Sequence, residues 1–514
     1  MNEIVVDTTA GPVRGRSSAH SGHDVTSWKG IRFAAAPVGE LRFQIPQPAE
    51  PHREVFDASV FGPACPQPKL ANMPLELGAA PGDDCLRLNI WAPSDTSTAK
   101  PVMVWLHGGA YVLGSGSQPL YNGRRLAGGG DVVIVTINYR LGALGFLDLS
   151  SFSSNKCRFD SNLGLHDVLA ALRWVRDNIA GFGGDPGQVT VFGESAGAGL
   201  VTTLLAMPSA AGLFHRAIAQ SSPATSVYDK DRGAQLAGFM LDRMGVDPSD
   251  AHRLLEVPTQ EIVAASKHAF NDVPVRNPGT LAFVPIVDGD LLPDYPVKLA
   301  QQGHTLPIPL IIGTNRNEAA LFRLMRSPLM PITPHAITSM FTQIAAEQPD
   351  LQLPTREQLH TAYAGLRSAG RALGIATDVG FRMPTVWLAE GHSAVAPVHL
   401  YRFDYCTPLF KLLLVRAAHA TELPYVWGTL GSAGDPSLKL GGAKTAKEVS
   451  VRMRTRWVNF AAHGRPDGPA GSPEWPSYCQ AARACLVIGA EDSVTHDSDA
   501  PIRAAWGNRV VGFR

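Results

Sequence analysis

Cysteine is scarce in this chain. Six occur in 514 residues, namely Cys65, Cys85, Cys157, Cys406, Cys479 and Cys485, and no two form a Cys-x-x-Cys pair. That removes the zinc and redox motifs built on such spacing. In a reducing compartment all six would be thiols. Net charge is lacking too, because 45 Lys and Arg offset 45 Asp and Glu. No overall field draws in nucleic acid or an anionic membrane, so neither is expected as a partner. No apolar run reaches the roughly 18–20 residues of a membrane span. The opening residues Met1 to Asp7 read as a strand, without the basic and apolar regions of a secretory signal. A cytoplasmic protein is expected, although a mature secreted chain would differ only in its Met1. Internal repeats, low-complexity tracts and obvious linkers are missing as well.

What is present is a large apolar fraction, 45% of residues against 18% charged. That is enough for one large core, and a single domain over 1–514 is expected. Short β-prone runs at 4–7, 13–15 and 25–33 predict a small antiparallel sheet at the N-terminus. Residues 65–85 carry Pro66, Pro68, Pro74 and Pro81 and predict a long loop. Leu86 to Trp91 alternates with period two, as a strand does. Pro101–Leu106, Val132–Ile137, Val189–Phe192, Arg216–Gln220, Pro307–Ile312 and Val398–Phe403 read as strands, most of them unbroken apolar runs. Such runs fit strands buried on both faces of a parallel sheet. Leu165, Val168, Leu169, Leu172, Val175 and Ile179 recur on one face of a helix over 164–179. Further helix is expected at 451–463, a last strand at 485–488, and helical insertions around 230–280 and 320–395. The whole is an α/β chain with a large, mostly parallel central sheet flanked by helices.

The chemistry concentrates at Val189-Thr190-Val191-Phe192-Gly193-Glu194-Ser195-Ala196-Gly197. A strand that turns sharply into a helix puts Ser195 on a strained corner. Glycines two before and two after remove the side chains that would clash. The amides that follow sit at a helix N-terminus, where an anion is favoured. This is the nucleophile elbow of the α/β-hydrolase fold. A serine hydroxyl needs a base to take its proton, and the base needs a carboxylate to orient it. In this fold the chain order is Ser, acid, His. Ser195, Glu318 and His419 satisfy it. The chain has sixteen histidines, so spacing alone leaves the base open. Asp288 and Asp404 compete for the acid, though Glu318, just beyond a buried strand, has the better position. Attack on an ester carbonyl creates an oxyanion, and the amides of Gly108, Gly109 and Ala196 can face it.

Longer motifs carry a resemblance. They are Gly30-Ile31-Arg32-Phe33-Ala34, Asp84-Cys85-Leu86-Arg87-Leu88-Asn89-Ile90, Phe182-Gly183-Gly184-Asp185-Pro186 with Gly193-Glu194-Ser195-Ala196-Gly197, and His419-Ala420-Thr421-Glu422-Leu423-Pro424-Tyr425-Val426-Trp427-Gly428. In this order the chain resembles the type-B carboxylesterases, which include bacterial para-nitrobenzyl esterases and animal cholinesterases. The resemblance implies His419 as base, Glu318 as acid and Gly108, Gly109 and Ala196 as the oxyanion hole. It puts Glu194 and Ser221 where residues brace the histidine. It places Cys65 and Cys85 on a disulfide of the secreted members. Two departures stand out. Cholinesterases hold a tryptophan between those cysteines that packs on a quaternary ammonium, but residues 66–84 contain no aromatic residue. That argues against choline esters. Val168 also replaces the glutamine usual at its position.

The expected activity is a serine carboxylesterase acting on neutral, fairly apolar small-molecule esters, with no cofactor and no metal. An amidase, carbamate hydrolase or lactonase on the same triad is the alternative, and a non-catalytic interaction protein a distant third. Leu321, Phe322, Leu324, Met325, Met330, Pro408, Leu409 and Phe410 are the expected pocket walls. A monomer or small homo-oligomer is expected.

Overall fold

A computed structural model describes residues 3–20, 23–71, 73–95, 97–432 and 435–514. Thirteen strands form one sheet: β1 (Glu3–Thr8), β2 (Gly11–His20), β3 (His23–Arg32), β4 (Phe56–Asp57), β5 (Arg87–Pro93), β6 (Lys100–Leu106), β7 (Val133–Ile137), β8 (Gly184–Glu194), β9 (Arg216–Gln220), β10 (Leu310–Asn315), β11 (Val398–Phe403), β12 (Ala484–Ile488) and β13 (Asp492–His496). Their order is β1-β2-β3-β5-β7-β6-β8-β9-β10-β11-β12-β13, with the short β4 beside β2. From β7 to β12 every neighbouring pair is parallel. The antiparallel N-terminal strands do not stand apart, because β3 pairs with β5 and makes them an extension of the main sheet.

Side-chain alternation divides the apolar runs between two cores. In β6, Val102, Val104 and Leu106 join one core, and Met103 and Trp105 join the other. Val133, Val135 and Ile137 of β7 face the first core, and Ile134 faces the second. A run of this kind must be apolar throughout because neither face meets water. The helix Leu163–Asn178 closes the first core with Leu165, Val168, Leu169, Leu172 and Val175. Val168 is fully buried there, so its role is packing. The helix Ala443–His463 closes the second core with Val449, Met453, Trp457 and Phe460. Each such side chain contributes roughly 1.5–3 kcal/mol on burial.

That last helix starts eight residues before the expected 451. Its first turns are mostly polar and turn only Ala446, Val449 and the polar Ser450 inward, which hides the period. β13 was not anticipated either. It is an edge strand, antiparallel to β12 and mostly half-exposed, so its sequence lacks apolar alternation. The 230–280 stretch holds the helices Lys230–Arg243 and Thr259–Arg276. The 320–395 stretch is helical from Pro334 to His392 with breaks. Among the described residues, no helix is long and apolar enough to cross a membrane.

One buried ion pair ties the N-terminal loops to the core. Arg140 grips Asp167 with two nitrogens, at 2.8 and 2.7 Å, and both residues are almost fully buried. The remaining donors of Arg140 reach the carbonyls of Arg42 and Gln44. A paired fork of this geometry leaves little of the guanidinium charge uncompensated.

Candidate active site

β8 ends at Glu194, and Ser195 caps the helix Ala196–Leu204 with φ +56° and ψ −125°. A β-carbon on Gly197 would stand 2.0 Å from the carbonyl oxygen of Leu106. One on Gly193 would stand 2.6 Å from the backbone of Gly197. Both glycines are therefore demanded by the close passage of strand and helix. The Ser195 amide donates to the carbonyl of Gln220 at 2.9 Å, which fixes the corner against β9.

Glu318 follows β10 and is fully buried. Its Oε1 accepts from the Ser221 hydroxyl and from the Asn315 amide, both at 2.6 Å. Its Oε2 lies 2.7 Å from Nδ1 of His419. With Nδ1–H donating to a carboxylate, Nε2 is left as the acceptor. Nε2 lies 2.8 Å from Oγ of Ser195. The loops that carry the two residues are bound to each other, because the Asn317 amide donates to the Ala417 carbonyl at 2.8 Å. Phe381 and Phe322 flank the imidazole, with ring centroids 4.6 and 5.2 Å away. Asp288 sits elsewhere and accepts from Asn162 and the Leu292 amide in a turn. Asp404 is held by Arg316 and Arg402.

A second carboxylate approaches the same imidazole. Oε1 of Glu194 lies 3.2 Å from Nε2 of His419. Burial raises the pKa of Glu194 to about 8, helped by the like charges of Glu422 and Glu318. Burial alone would lower the pKa of His419. Glu194, Glu318 and Glu422 outweigh it and raise the imidazole to about 9. The site is thus built to hold positive charge on this ring.

His107, Gly108 and Gly109 follow β6, the neighbour of β8. Gly109 has φ +123°, and a β-carbon there would strike the Leu113 carbonyl at 2.1 Å. A β-carbon on Gly108 would come within 3.0 Å of the Ser195 β-carbon. This glycine pair brings the turn up against the serine. Among the described residues, the amides of Gly108 and Gly109 have no hydrogen-bond acceptor, nor does that of Ala196 at the first helical position.

A cavity of about 490 Å³ opens onto Ser195, His419, Gly108, Gly109 and Ala196. Of the pocket residues proposed from the sequence, Leu321, Phe322, Met325 and Met330 lie in its walls. Leu324, Pro408, Leu409 and Phe410 do not. Leu324 is two positions from Phe322 on the helix Ala319–Leu324, and so points outward, 59% exposed. Pro408, Leu409 and Phe410 lie in the helix Pro408–Leu412, where Phe410 packs on the cluster of Ala320, Val415 and Ala418. Further parts of the wall come from distant segments, among them Met73 and Leu75, Met340 and Ile344, Val379 and Phe381, and Val511 with Phe513.

Sequence reasoning missed a buried polar chain behind His419. Glu422 is fully buried and accepts from Gln220 at 3.1 Å and from Asn315. Asn315 also donates to the Ala418 carbonyl at 2.6 Å, and Trp457 donates to Gln220 at 3.0 Å. The available signal was a charged residue three after His419, in a stretch otherwise small and apolar. Cys65 and Cys85, which the resemblance puts at a disulfide of the secreted members, are buried and unbonded. They lie close enough that Cys65 raises the thiol pKa of Cys85 through a side-chain hydrogen bond, with burial acting the same way.

Comparison with known proteins gives the family and the fold. The para-nitrobenzyl esterase of Bacillus subtilis (strain 168) is 38% identical over 505 residues, covering 98% of each chain. Carboxylesterase 1E of Rattus norvegicus is 34% identical, over 95% of this chain and 90% of its own. Among solved structures, a PNB esterase superposes with a TM-score of 0.83 at 37% identity, over 98% of this chain and 99% of its own. The carboxylesterase EST55 of Geobacillus stearothermophilus, at pH 6.2, gives 0.84 at 36% identity, over 98% of this chain and 100% of its own. The fold is that of the α/β-hydrolases, and the activity is that of a carboxylic ester hydrolase. Residues 2–504 match the description "Carboxylesterase family", and the chain belongs to that family.

Proposed function

We propose that this chain is a serine carboxylesterase in which Ser195 is the nucleophile, His419 the general base and acid, and Glu318 the orienting carboxylate. The carrying observation is one imidazole bonded on both sides, 2.8 Å from the serine oxygen and 2.7 Å from the carboxylate. Ser195 Oγ attacks the ester carbonyl as its proton passes to Nε2 of His419. The C–O bond to the alcohol then breaks, and the same proton goes to the leaving oxygen. Water repeats the sequence on the acyl-enzyme, giving up a proton to Nε2, and the carboxylic acid departs with Ser195 restored. Glu318 keeps Nδ1 protonated and stabilises the imidazolium. Gly108, Gly109 and Ala196 amides, free of other acceptors, receive the oxyanion, each worth about 2.7–4 kcal/mol of barrier. Glu194 adds negative charge beside Nε2, and Ser221 holds Glu318 in place.

Leu, Met, Phe, Val and Ile side chains make much of the cavity wall, which fits a neutral, fairly apolar ester. Six free cysteines, two of them buried side by side, fit a cytoplasmic setting. One sheet from β1 to β13 fits a single catalytic unit over 1–514. Ser195→Ala should lower kcat on para-nitrophenyl esters by about 10⁴–10⁶-fold. A fluorophosphonate should label Ser195 at one equivalent. If Ser195→Ala keeps most of its activity, the assignment fails. A panel of esters, amides, carbamates and lactones on wild type reads the leaving-group class.

A further inference from the structure

A balanced net charge averages over the whole chain and hides one local surface. Leu412, Leu413 and Leu414 are 69, 54 and 56% exposed in a row. Leu324 is exposed on the adjoining helix. The two segments pack together through Leu321 and Phe410 against Ala320, Val415 and Ala418. Four exposed leucines on two segments that pack together are more than scattered surface residues account for.

The charges carried by these two segments have one sign. Arg323, Arg326, Lys411 and Arg416 are exposed, and none has an ion-pair partner among the described residues. Neither 319–330 nor 405–418 contains an Asp or Glu. Lys411 and Arg416 share a neighbourhood with Arg316, since all three bear on the Cys406 thiol. The nearby Asp404 is occupied by Arg316 and Arg402. Lys411 and Arg416 flank the leucines in sequence, and the loop is held there by left-handed backbone at Leu414 and Arg416, φ +57° and +58°. The same helix that turns Leu324 outward turns Leu321 and Phe322 into the cavity.

We propose that this face is a docking surface for a bilayer carrying anionic headgroups. The leucines enter the interfacial region and the four cations meet the headgroups. A second copy of the chain is disfavoured, because an isologous contact would set like charges against each other. The catalytic cavity then opens beside the bilayer, where apolar esters partition. The surface stands on residues outside the proposed triad, so it does not depend on that assignment.

Each cation near such a surface multiplies binding by about fivefold. The test is co-sedimentation of the full chain with phosphatidylcholine vesicles, with and without 30 mol% phosphatidylglycerol. Wild type and Ser195→Ala should both bind the anionic vesicles at least about tenfold more tightly than the neutral ones. About 0.5 M salt should release them, since charge attraction at the surface is then screened. Leu412→Ser/Leu413→Ser should lose at least about fivefold in binding, and so should Arg323→Glu/Lys411→Glu. Both should keep kcat/KM on soluble para-nitrophenyl acetate within about twofold, which also shows that they fold. Equal binding to both vesicles, undiminished binding by the variants, or a concentration-dependent dimer by light scattering that Leu412→Ser/Leu413→Ser abolishes would each overturn the proposal. Loss of esterase activity in Ser195→Ala with vesicle binding intact separates the two readings.

Discussion

Replacing Glu194 by Gln removes a carboxylate next to the proposed catalytic imidazole while keeping the side chain's size. The carboxylate oxygen lies 3.2 Å from Nε2 of His419. At that distance a unit charge is worth about 1.3 kcal/mol at a dielectric constant of about 80 and about 5 kcal/mol at about 20. These bounds correspond to about one and about four pKa units. Burial holds most of the Glu194 population neutral at pH 7 and about half of it at pH 8, since its own pKa is raised to about 8. The expected effect therefore lies in the lower half of that range, at about one to two units. The sign is fixed by the chemistry. Glu194 favours the imidazolium, so its loss lowers the pKa of His419. The base then becomes available at lower pH. The acid limb of log kcat/KM against pH, measured on a neutral para-nitrophenyl ester, should move down by about one unit or more. Circular dichroism across the range guards against unfolding. A limb that stays within about 0.3 units, or that moves up, would refute the view that Glu194 is ionised while His419 titrates.

Three further outcomes follow from the geometry. Gly197→Ala places a β-carbon 2.0 Å from the Leu106 carbonyl, a backbone contact that cannot rotate away. It should destabilise the fold by about 1–3 kcal/mol or more in urea titration and cut activity with it. His107 is buried, with its pKa lowered from 6.5 to about 4 by desolvation. Its stabilisation is whole above the unfolded value and is lost as pH falls from about 6.5 through about 4, amounting to about 3 kcal/mol. His107→Gln should flatten that part of the stability–pH curve, and an unchanged acid slope would count against it. Phe513 walls the cavity, so Phe513→Ala should raise kcat/KM for esters with acyl chains two or more carbons longer, by about tenfold relative to acetate. A uniform change across the acyl series would place Phe513 outside the acyl path.

Local features of the chain were legible where a single segment imposes them. The Gly193-Glu194-Ser195-Ala196-Gly197 corner, the apolar runs of β6, β7 and β10, and the helix over Leu163–Asn178 each announce themselves within one window. Glu318 was reached through chain order, since nothing around it marks a carboxylate as buried. The cavity was much less legible. Phe322 and Leu324 have the same apolar character, and only the helix phase separates wall from surface. Met340, Ile344, Val511 and Phe513 reach the wall from segments with no motif of their own. Glu422, Asn315 and Gln220 form their network across three separate stretches of chain. Polar residues that satisfy one another at long range leave no periodic trace. The cationic leucine face escaped notice for the opposite reason, because a whole-chain charge sum cancels it.

Ser195 and His419 touch across 224 positions of sequence, and Glu318 and His419 across 101. On the proposed assignment, a ribosome completes the nucleophile long before it makes the base. Until the last fifth or so of the polypeptide has emerged and docked, an exposed serine elbow has nothing to deprotonate it. Hydrolysis can begin only when the most distant loops have closed, so the appearance of turnover is a clock for the end of folding rather than for its start.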